Sequence, residues 1–302
     1  MTNETILLSK TYKSEKDLIF PAQITEKLDG VPVDIYYKRE LGAPIARSRQ
    51  GKQIKSIQHI LNELVDILPH GAHLIGELYI EGVDFKDISG LVRKQETNED
   101  TEQLVLHVHD YYMEGKECTG YVHRMLGMLK LDLPRETDFK VVYIKGKTVH
   151  TVSEFQDYIE EFFCNNPEAE GVIIRALDGD KSVFKKGWRS PGMLKLKRQE
   201  TIDLAVHSFE EAIDKNGNPK AMVGRINVVY PVDVDHDECN TDVVHGVIGV
   251  GPGALKHKQR KEIWDNQDKY IGKTIEIKYM PDDSYNALRE ARFYRFREDK
   301  DD

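Results

Sequence analysis

The hydrophobic pattern of the first two thirds of the chain switches between a period near two and a period near 3.6. Val31 to Tyr37, His73 to Ile80 and Leu104 to Tyr112 are rich in β-branched and aromatic residues and predict strands. Between the first two, Ile57, Ile60, Leu61, Leu64 and Leu68 recur at helical spacing and Pro69 stops the pattern, which predicts a helix over 55–68. A second amphipathic helix is expected from Ser153. Gln156 follows three residues on, as in a capping box, and Phe155, Ile159, Phe162 and Phe163 form its buried face. Gly171 to Arg175 and Met193 to Lys197 predict two more strands.

From Thr201 the texture changes. Short apolar runs at 204–209, 222–230, 243–250 and 274–280 alternate with turn signals, among them Lys215-Asn216-Gly217-Asn218-Pro219 and Gly249 to Gly253. Several short strands with Gly-rich turns over about 100 residues predict a small β-barrel. The boundary falls near Gln199 to Thr201, so the expected organisation is a first domain over 1–199 and a second over 200–302. The fold class expected is α+β. No internal repeat and no low-complexity segment interrupts it.

Composition supports a folded chain: 39% of the 302 residues are hydrophobic, enough to bury a core in one large domain or two unequal ones. No apolar run reaches the roughly 18 residues of a spanning helix, and Met1 to Lys10 lacks the apolar stretch of a signal peptide. Cys118, Cys164 and Cys239 are too far apart for zinc spacing or a disulfide framework, which suits a reducing, cytoplasmic setting. The net charge of −9 argues weakly against a polyanion partner, because binding depends on local clusters. Lys181 to Arg198 holds seven Lys and Arg and no acid, with Phe184 and Trp188 interleaved. Lys256, Lys258, Arg260 and Lys261 form a second cluster, and Arg289, Arg292, Arg295 and Arg297 a third. Such clusters supply backbone affinity without sequence readout, although each also reads as an ordinary soluble surface. The acidic stretch Pro231 to Asp242 matches no Ca2+ or Zn2+ spacing and is read as a solvated loop.

The chemistry concentrates around Glu26-Lys27-Leu28-Asp29-Gly30-Val31. Alone, this segment also reads as a surface turn. Behind it, in order, stand Ser48-Arg49 with Gly51, Gly76-Glu77, His109-Asp110-Tyr111, Glu170-Gly171 to Arg175, Lys195-Leu196-Lys197, and finally Arg297 with Asp299 and Lys300. Lys195 and Lys197 are two apart on one predicted strand, so both point to the same face, a good geometry for two cations over a phosphate. A free lysine, with a pKa of about 10.4, is almost wholly charged at neutral pH. Neighbouring cations or a bound metal would lower that value and expose a nucleophile.

The ordered set resembles the covalent nucleotidyltransferases: ATP-dependent DNA ligases, RNA ligases and mRNA capping enzymes. Only 26 residues precede Lys27, which looks like the minimal two-domain DNA ligases of viruses and phages. The resemblance implies an ATP-grasp-like adenylation (nucleotidyltransferase) domain followed by an OB-fold barrel. It implies Lys27 as the nucleophile that carries AMP, with ATP as donor and Mg2+ held by Glu170. Glu77 would hold the ribose hydroxyls, Thr25 the adenine edge, and His109 would stack on the base. Arg49 would contact a phosphate, Lys195 and Lys197 the α-phosphate, and Asp29 would belong to the nucleotide site. Arg297, Asp299 and Lys300 would orient the leaving pyrophosphate. The partner implied is nicked duplex DNA gripped through its phosphates, by a monomer, in repair, replication or recombination. The sequence departs from the family at two points. Pro32 stands where many DNA ligases have Arg, with Arg47 or Arg39 as possible substitutes, and His109 stands where the family stacks a carbocyclic aromatic ring. The alternatives are an RNA ligase, a capping guanylyltransferase, and a catalytically silent nucleic-acid-binding barrel.

Overall fold

The computed structural model describes residues 4–116, 119–131, 133, 139–233, 243–280 and 288–297. The chain divides into two compact units, Met1–Lys197 and Arg198–Asp302. The first unit runs β1 (Leu8–Thr11), β2 (Ala22–Glu26), β3 (Val31–Lys38), β4 (Ala43–Ser48), β5 (Gln53–Ile54), α1 (Gln58–Leu64), β6 (Ala72–Tyr79), α2 (Phe85–Val92), β7 (Val105–Met113), α3 (Tyr121–Leu129), β8 (Val141–Tyr143), β9 (Gly146–Val149), α4 (Val152–Asn165), β10 (Gly171–Ala176) and β11 (Arg189–Lys197).

These strands form two sheets, one ordered β1-β11-β10-β2-β9 and one ordered β5-β4-β3-β6-β7-β8. Strand alternation decides what each sheet buries. In the five-stranded sheet Ala22, Ile24, Val172, Ile174 and Leu194 pack under Phe155 and Phe162 of α4. In the six-stranded sheet Val33, Ile35, Leu74, Leu78, Leu106 and Val108 pack with Ile60 and Leu64 of α1, Ile88 and Val92 of α2 and Met128 of α3. Each fully buried Ile or Leu there stabilises by about 1.5–3 kcal/mol. The inner faces of the two sheets meet in a smaller cluster of Ile6, Leu7, Ile75, Tyr112 and Phe184. Beyond this cluster the two sheets face each other across a polar cleft, with Arg175 of β10 reaching His109 of β7 and Glu77 of β6 near Lys27.

Two helix starts differ from expectation. The 55–68 helix is regular only over Gln58–Leu64, although Ile57, Ile60, Leu61, Leu64 and Leu68 are all buried as its period requires. The capping pair of α4 is Thr151 and Glu154, not Ser153 and Gln156. Thr151 has extended backbone, its Oγ1 accepts from Glu154 N at 3.1 Å, and Glu154 Oε2 accepts from His150 N at 2.8 Å. Gln156 instead turns outward to hydrogen-bond Glu15.

The second unit runs β12 (Glu200–Ile213), β13 (Pro219–Asp233), β14 (Val243–Val250), α5 (His257–Asp265), β15 (Thr274–Met280) and β16 (Arg289–Phe296). They form one sheet ordered β14-β13-β12-β15-β16, with antiparallel neighbours. β12 pairs with β15 through Glu200 to Ala205 and with β13 from Val206 onward, so one long strand serves both halves. The two outer strands approach each other where Gly251 bridges Arg292 in parallel. Gly251 N donates to Ala291 O, and Phe293 N donates to Gly251 O, both at 2.9 Å. Leu204, Val206, Val223, Ile226, Val228, Val250, Ile275, Ile277 and Phe293 fill the interior, with Ile263 from α5. That helix has no apolar stripe to read in the sequence, because Ile263 is its one buried residue. The acidic stretch begins at the end of β13, and its residues 234–242 lie outside the described set. The fold is thus mixed α+β.

Candidate active site

Lys27 lies one residue beyond β2 and is tied to β10 by its backbone N, which donates to Gly171 O at 2.9 Å. Gly171 in turn pairs with Lys197 of β11. One step along the strands, Thr25 pairs with Ile173 and Ile173 with Lys195. Thr25, Lys27, Lys195 and Lys197 therefore share the face opposite the α4 core, with successive rows about 6.6 Å apart. Gly171 cannot be replaced without cost: its φ is +155° and an added Cβ would lie 2.2 Å from Leu196 O. The close approach it permits brings the two lysine strands together.

Glu170 precedes β10 and bridges both cations. Its Oε2 accepts from Lys27 Nζ, and its Oε1 lies 3.1 Å from Lys197 Nζ. The carboxylate side chain is 6% exposed, against 21% for Lys27 and 16% for Lys197. The six-stranded sheet supplies the facing wall. Glu77 of β6 pairs with Pro32 of β3. An added Cβ on Gly30 would lie 2.4 Å from Leu78 O and 2.8 Å from Glu77 Cγ, so only glycine lets the Lys27-to-Gly30 turn lie against Glu77. Burial pushes the Glu77 carboxyl up to about 8; Glu170 and Asp29 reinforce the rise and Lys27 opposes it. Such a carboxyl is largely protonated at neutral pH and both donates and accepts hydrogen bonds.

Farther along the same cleft, Arg175 of β10 reaches the six-stranded sheet. Its Nη1 donates to His109 O at 2.9 Å and lies 3.3 Å from Asp110 Oδ2, while Nη2 is 2.8 Å from His109 Nδ1. Asp110 also takes a two-pronged contact from Arg124 of α3, at 2.8 and 3.0 Å. Burial by itself would raise the Asp110 carboxyl, but Arg124 and Arg175 hold it below the usual range. Burial, helped by Arg175, pushes His109 down to about 3.

No protein-family model matches the chain, and no curated protein matches it in sequence. Solved structures do match. Pmar-Lig_PreS3 is 25% identical with a TM-score of 0.75, over 96% of this chain and 67% of that one. A structure of Lig E DNA ligases, described as binding DNA with a minimal scaffold, is 18% identical with a TM-score of 0.70, over 97% of this chain and 98% of that one. The ATP-dependent DNA ligase of bacteriophage T7 in complex with ATP is 18% identical with a TM-score of 0.54, over 98% and 99% of the two chains. This chain has the fold of the ATP-dependent DNA ligases.

Within the ligase fold, the residues picked from sequence distribute as follows. Lys27, Glu170 and Lys197 are in contact, and Thr25 and Lys195 share their face. Glu77, Asp29 and His109 line the same cleft of the first unit. Arg49 follows β4 in a turn closed by Gly51 N donating to Ser48 O at 2.8 Å, and its guanidinium is held by Glu4 at 2.7 and 3.1 Å. Arg47, one of the two residues considered in place of the Arg that Pro32 replaces, bonds Asp34 at 2.7 and 2.9 Å and covers the Tyr36 ring. The side chain of Arg39 lies outside the described set. In the second unit Arg297 Nη1 pairs with Asp203 at 2.7 Å; Asp299 and Lys300 lie outside the described residues.

Sequence reasoning missed Arg124 and Glu4, and gave no role to Arg175, which closes the Glu170-to-Arg175 motif. Asp110 stood in a quoted motif, but nothing local to Arg124, in an amphipathic helix, points to a partner 14 residues away.

Proposed function

We propose that this chain is an ATP-dependent DNA ligase that seals nicks between a 5′-phosphate and a 3′-hydroxyl. The observation that carries the reading is the Lys27–Glu170–Lys197 bridge facing Glu77 across one cleft. Lys27 Nζ attacks the α-phosphorus of ATP; a P–N bond forms, the bond to pyrophosphate breaks, and Glu170 Oε2 is placed to take the proton that Nζ loses. Lys195 and Lys197 offset the charge gathering on the phosphoryl oxygens. Glu77, protonated or not, is suited to the ribose hydroxyls. A 5′-phosphate oxygen of the nick then attacks the same phosphorus, the P–N bond breaks, and Lys27 regains a proton. Finally the 3′-hydroxyl attacks the 5′-phosphate, and AMP leaves as the phosphodiester forms.

Mg2+ fits this donor set as an ion brought in with the substrate. Among the described residues no group of three His, Cys, Asp or Glu could cage a metal. Mg2+ is commonly held by one or two carboxylates plus phosphate oxygens, and Glu170 is the carboxylate placed to help. When bound, the ion would neutralise phosphate charge.

The second unit is proposed to be an OB-fold barrel over 200–302, following the adenylation domain over 1–199. Five strands, a helix between the third and fourth, and the Gly251–Arg292 bridge between the outer strands support closure. The remaining proposals are that Arg49 contacts a phosphate of the nick, that Arg297, Asp299 and Lys300 attend the leaving pyrophosphate, and that the enzyme works as a cytoplasmic monomer. No helix of the described residues is long and apolar enough to cross a membrane.

Incubation with ATP labelled at the α-phosphate and Mg2+ should attach AMP to the wild type and not to Lys27→Ala. Labelling of the Ala variant removes Lys27 from the role. Labelling by GTP in place of ATP turns the reading toward a capping enzyme, and sealing of nicked RNA but not nicked DNA turns it toward an RNA ligase.

A further inference from the structure

Four observations converge on His109. First, it sits where the β6–β7 register slips: Ile75 pairs with Asp110 and Gly76 with Val108, so His109 has no residue opposite it. Such a bulge bends the strand and re-aims a side chain.

Second, the residue is clamped at backbone and ring. Its carbonyl accepts from Tyr121 Oη at 3.1 Å and from Arg175 Nη1 at 2.9 Å, and its Nδ1 is 2.8 Å from Arg175 Nη2. A guanidinium only donates, so Nδ1 has to accept. An imidazolium has no nitrogen able to accept, and the tautomer with hydrogen on Nδ1 would set donor against donor. The ring is therefore neutral with its hydrogen on Nε2.

Third, the clamp is itself held. Arg175 is 3% exposed and contacts Asp110 Oδ2 at 3.3 Å. Asp110 is fixed by Arg124, whose Nη1 donates to Thr119 O at 2.7 Å and Ser182 O at 2.8 Å. Among the described residues Nε2 of His109 has no hydrogen-bond partner.

Fourth, the position suits a base. Arg175 pairs with Gln23 and with Met193, two rows from Lys27, Gly171 and Lys197 on the same face. A nucleotide whose α-phosphate lies at the lysine row and whose base extends toward this end of the cleft reaches His109.

We propose that Arg175 is a positioning residue that fixes His109 as the Nε2–H imidazole, and that His109 thereby donates a hydrogen bond to an unprotonated ring nitrogen of adenine. This rests on the nucleotide-binding reading above and goes beyond ring stacking, which a Phe would supply as well. A donor-only group pairs with an adenine ring nitrogen. Against a ring nitrogen that carries hydrogen, as N1 of guanine does, it leaves an N–H unpaired. The charged and titratable groups facing the ring are Arg175 from β10, its own neighbour Asp110, and Arg124 and Tyr121 from α3; burial and Arg175, against the opposing pull of Asp110, keep the ring neutral through the mildly acidic range.

The test combines histidine-side-chain NMR with nucleotide binding, both on the full chain. In long-range 1H–15N spectra of 15N-histidine protein, the signal lost in His109→Phe should show the neutral Nε2–H pattern throughout from about pH 5 to 8. Its Nε2 shift should move on adding ATP without Mg2+. Arg175→Met should release the tautomer, so that the same signal no longer shows the pure Nε2–H pattern, and should move its titration upward while burial still holds it below the ordinary value of about 6.5. Of 1-deaza-, 3-deaza- and 7-deaza-ATP, one should bind the wild type about three- to tenfold more weakly than ATP, the size of one neutral hydrogen bond. It should bind His109→Phe as ATP does. A His109 ring that titrates normally, carries its hydrogen on Nδ1, or ignores bound ATP overturns the inference, as do three analogues that all bind like ATP. The comparison of the three analogues with ATP on the wild type decides the matter even if a variant fails to fold. If the tautomer is as proposed but ATP does not bind at all, the nucleotide reading fails and takes the donor role with it. If ATP binds and His109 is unmoved, only the His109 inference fails.

Discussion

Glu170 Oε2 accepts a hydrogen bond from Lys27 Nζ across 143 residues of sequence. The pair exists because β2 and β10 are antiparallel neighbours, and its other carboxylate oxygen serves Lys197. Replacing Glu170 by Gln leaves two lysines facing each other in a half-closed cleft. The expected loss of stability is about 1–3 kcal/mol in urea unfolding, below the range for a fully buried pair because both lysines touch solvent. AMP transfer should fall by about a hundredfold or more, as when a transition-state electrostatic partner is removed. Unchanged labelling kinetics in Glu170→Gln would show that Lys27 needs no help from it.

Glu77 sets a pH dependence of the ligand-free protein. Its folded carboxyl is raised from 4.5 to about 8, so the folded state holds a proton that the unfolded chain has released. The group's contribution is fully present below the unfolded value and is lost as pH rises through that window. Glu77→Gln removes this slope. Between about pH 4.5 and 8.5 the wild type should lose about 2–5 kcal/mol relative to the variant, measured by denaturant melts across pH. Parallel profiles would mean that the carboxyl is ionised in the empty cleft.

Asp110 behaves in the opposite sense. Its carboxyl is held down by Arg124 and Arg175 against the pull of burial, so its contribution is present above the ordinary value of 3.8 and lost as pH falls below it. Asp110→Ala strands two buried guanidiniums. It should destabilise by about 3–5 kcal/mol at neutral pH, with the gap to wild type narrowing in acid. A variant as stable as the parent at neutral pH would place the stabilisation elsewhere.

Gly171 is the spacer between the strand that leads into Lys27 and the Lys195–Lys197 strand. An Ala there meets Leu196 O at 2.2 Å with φ at +155°, so backbone has to move. The expected cost is about 1–3 kcal/mol. AMP transfer should drop further than stability alone explains, since Lys27 and Lys197 are pushed apart. Equal losses in thermal unfolding and in labelling rate, vanishing together when the protein is refolded at low temperature, would argue for a purely structural glycine.

Period and composition were enough to locate five of the eleven described strands of the first unit, four of the five of the second, and the buried face of α1. These features are local: a strand or helix face is written in neighbours two, three or four residues apart. The Lys27 segment and the later motifs were also visible in the sequence: Glu77, Lys195 and Lys197 sit on strands whose alternation aims them at one face, while Lys27, Arg49 and Glu170 lie just outside strand ends. What local pattern could not decide was which distant groups meet. The pairing of Glu170 with Lys27 and Lys197, the rise of Glu77, and the Arg175–His109–Asp110–Arg124 network all depend on strand order, on a one-residue register slip in β7 and on exclusion of water. Charge and hydrogen-bond energies scale with separation and dielectric. Both are set only when the two sheets of the first unit close on each other.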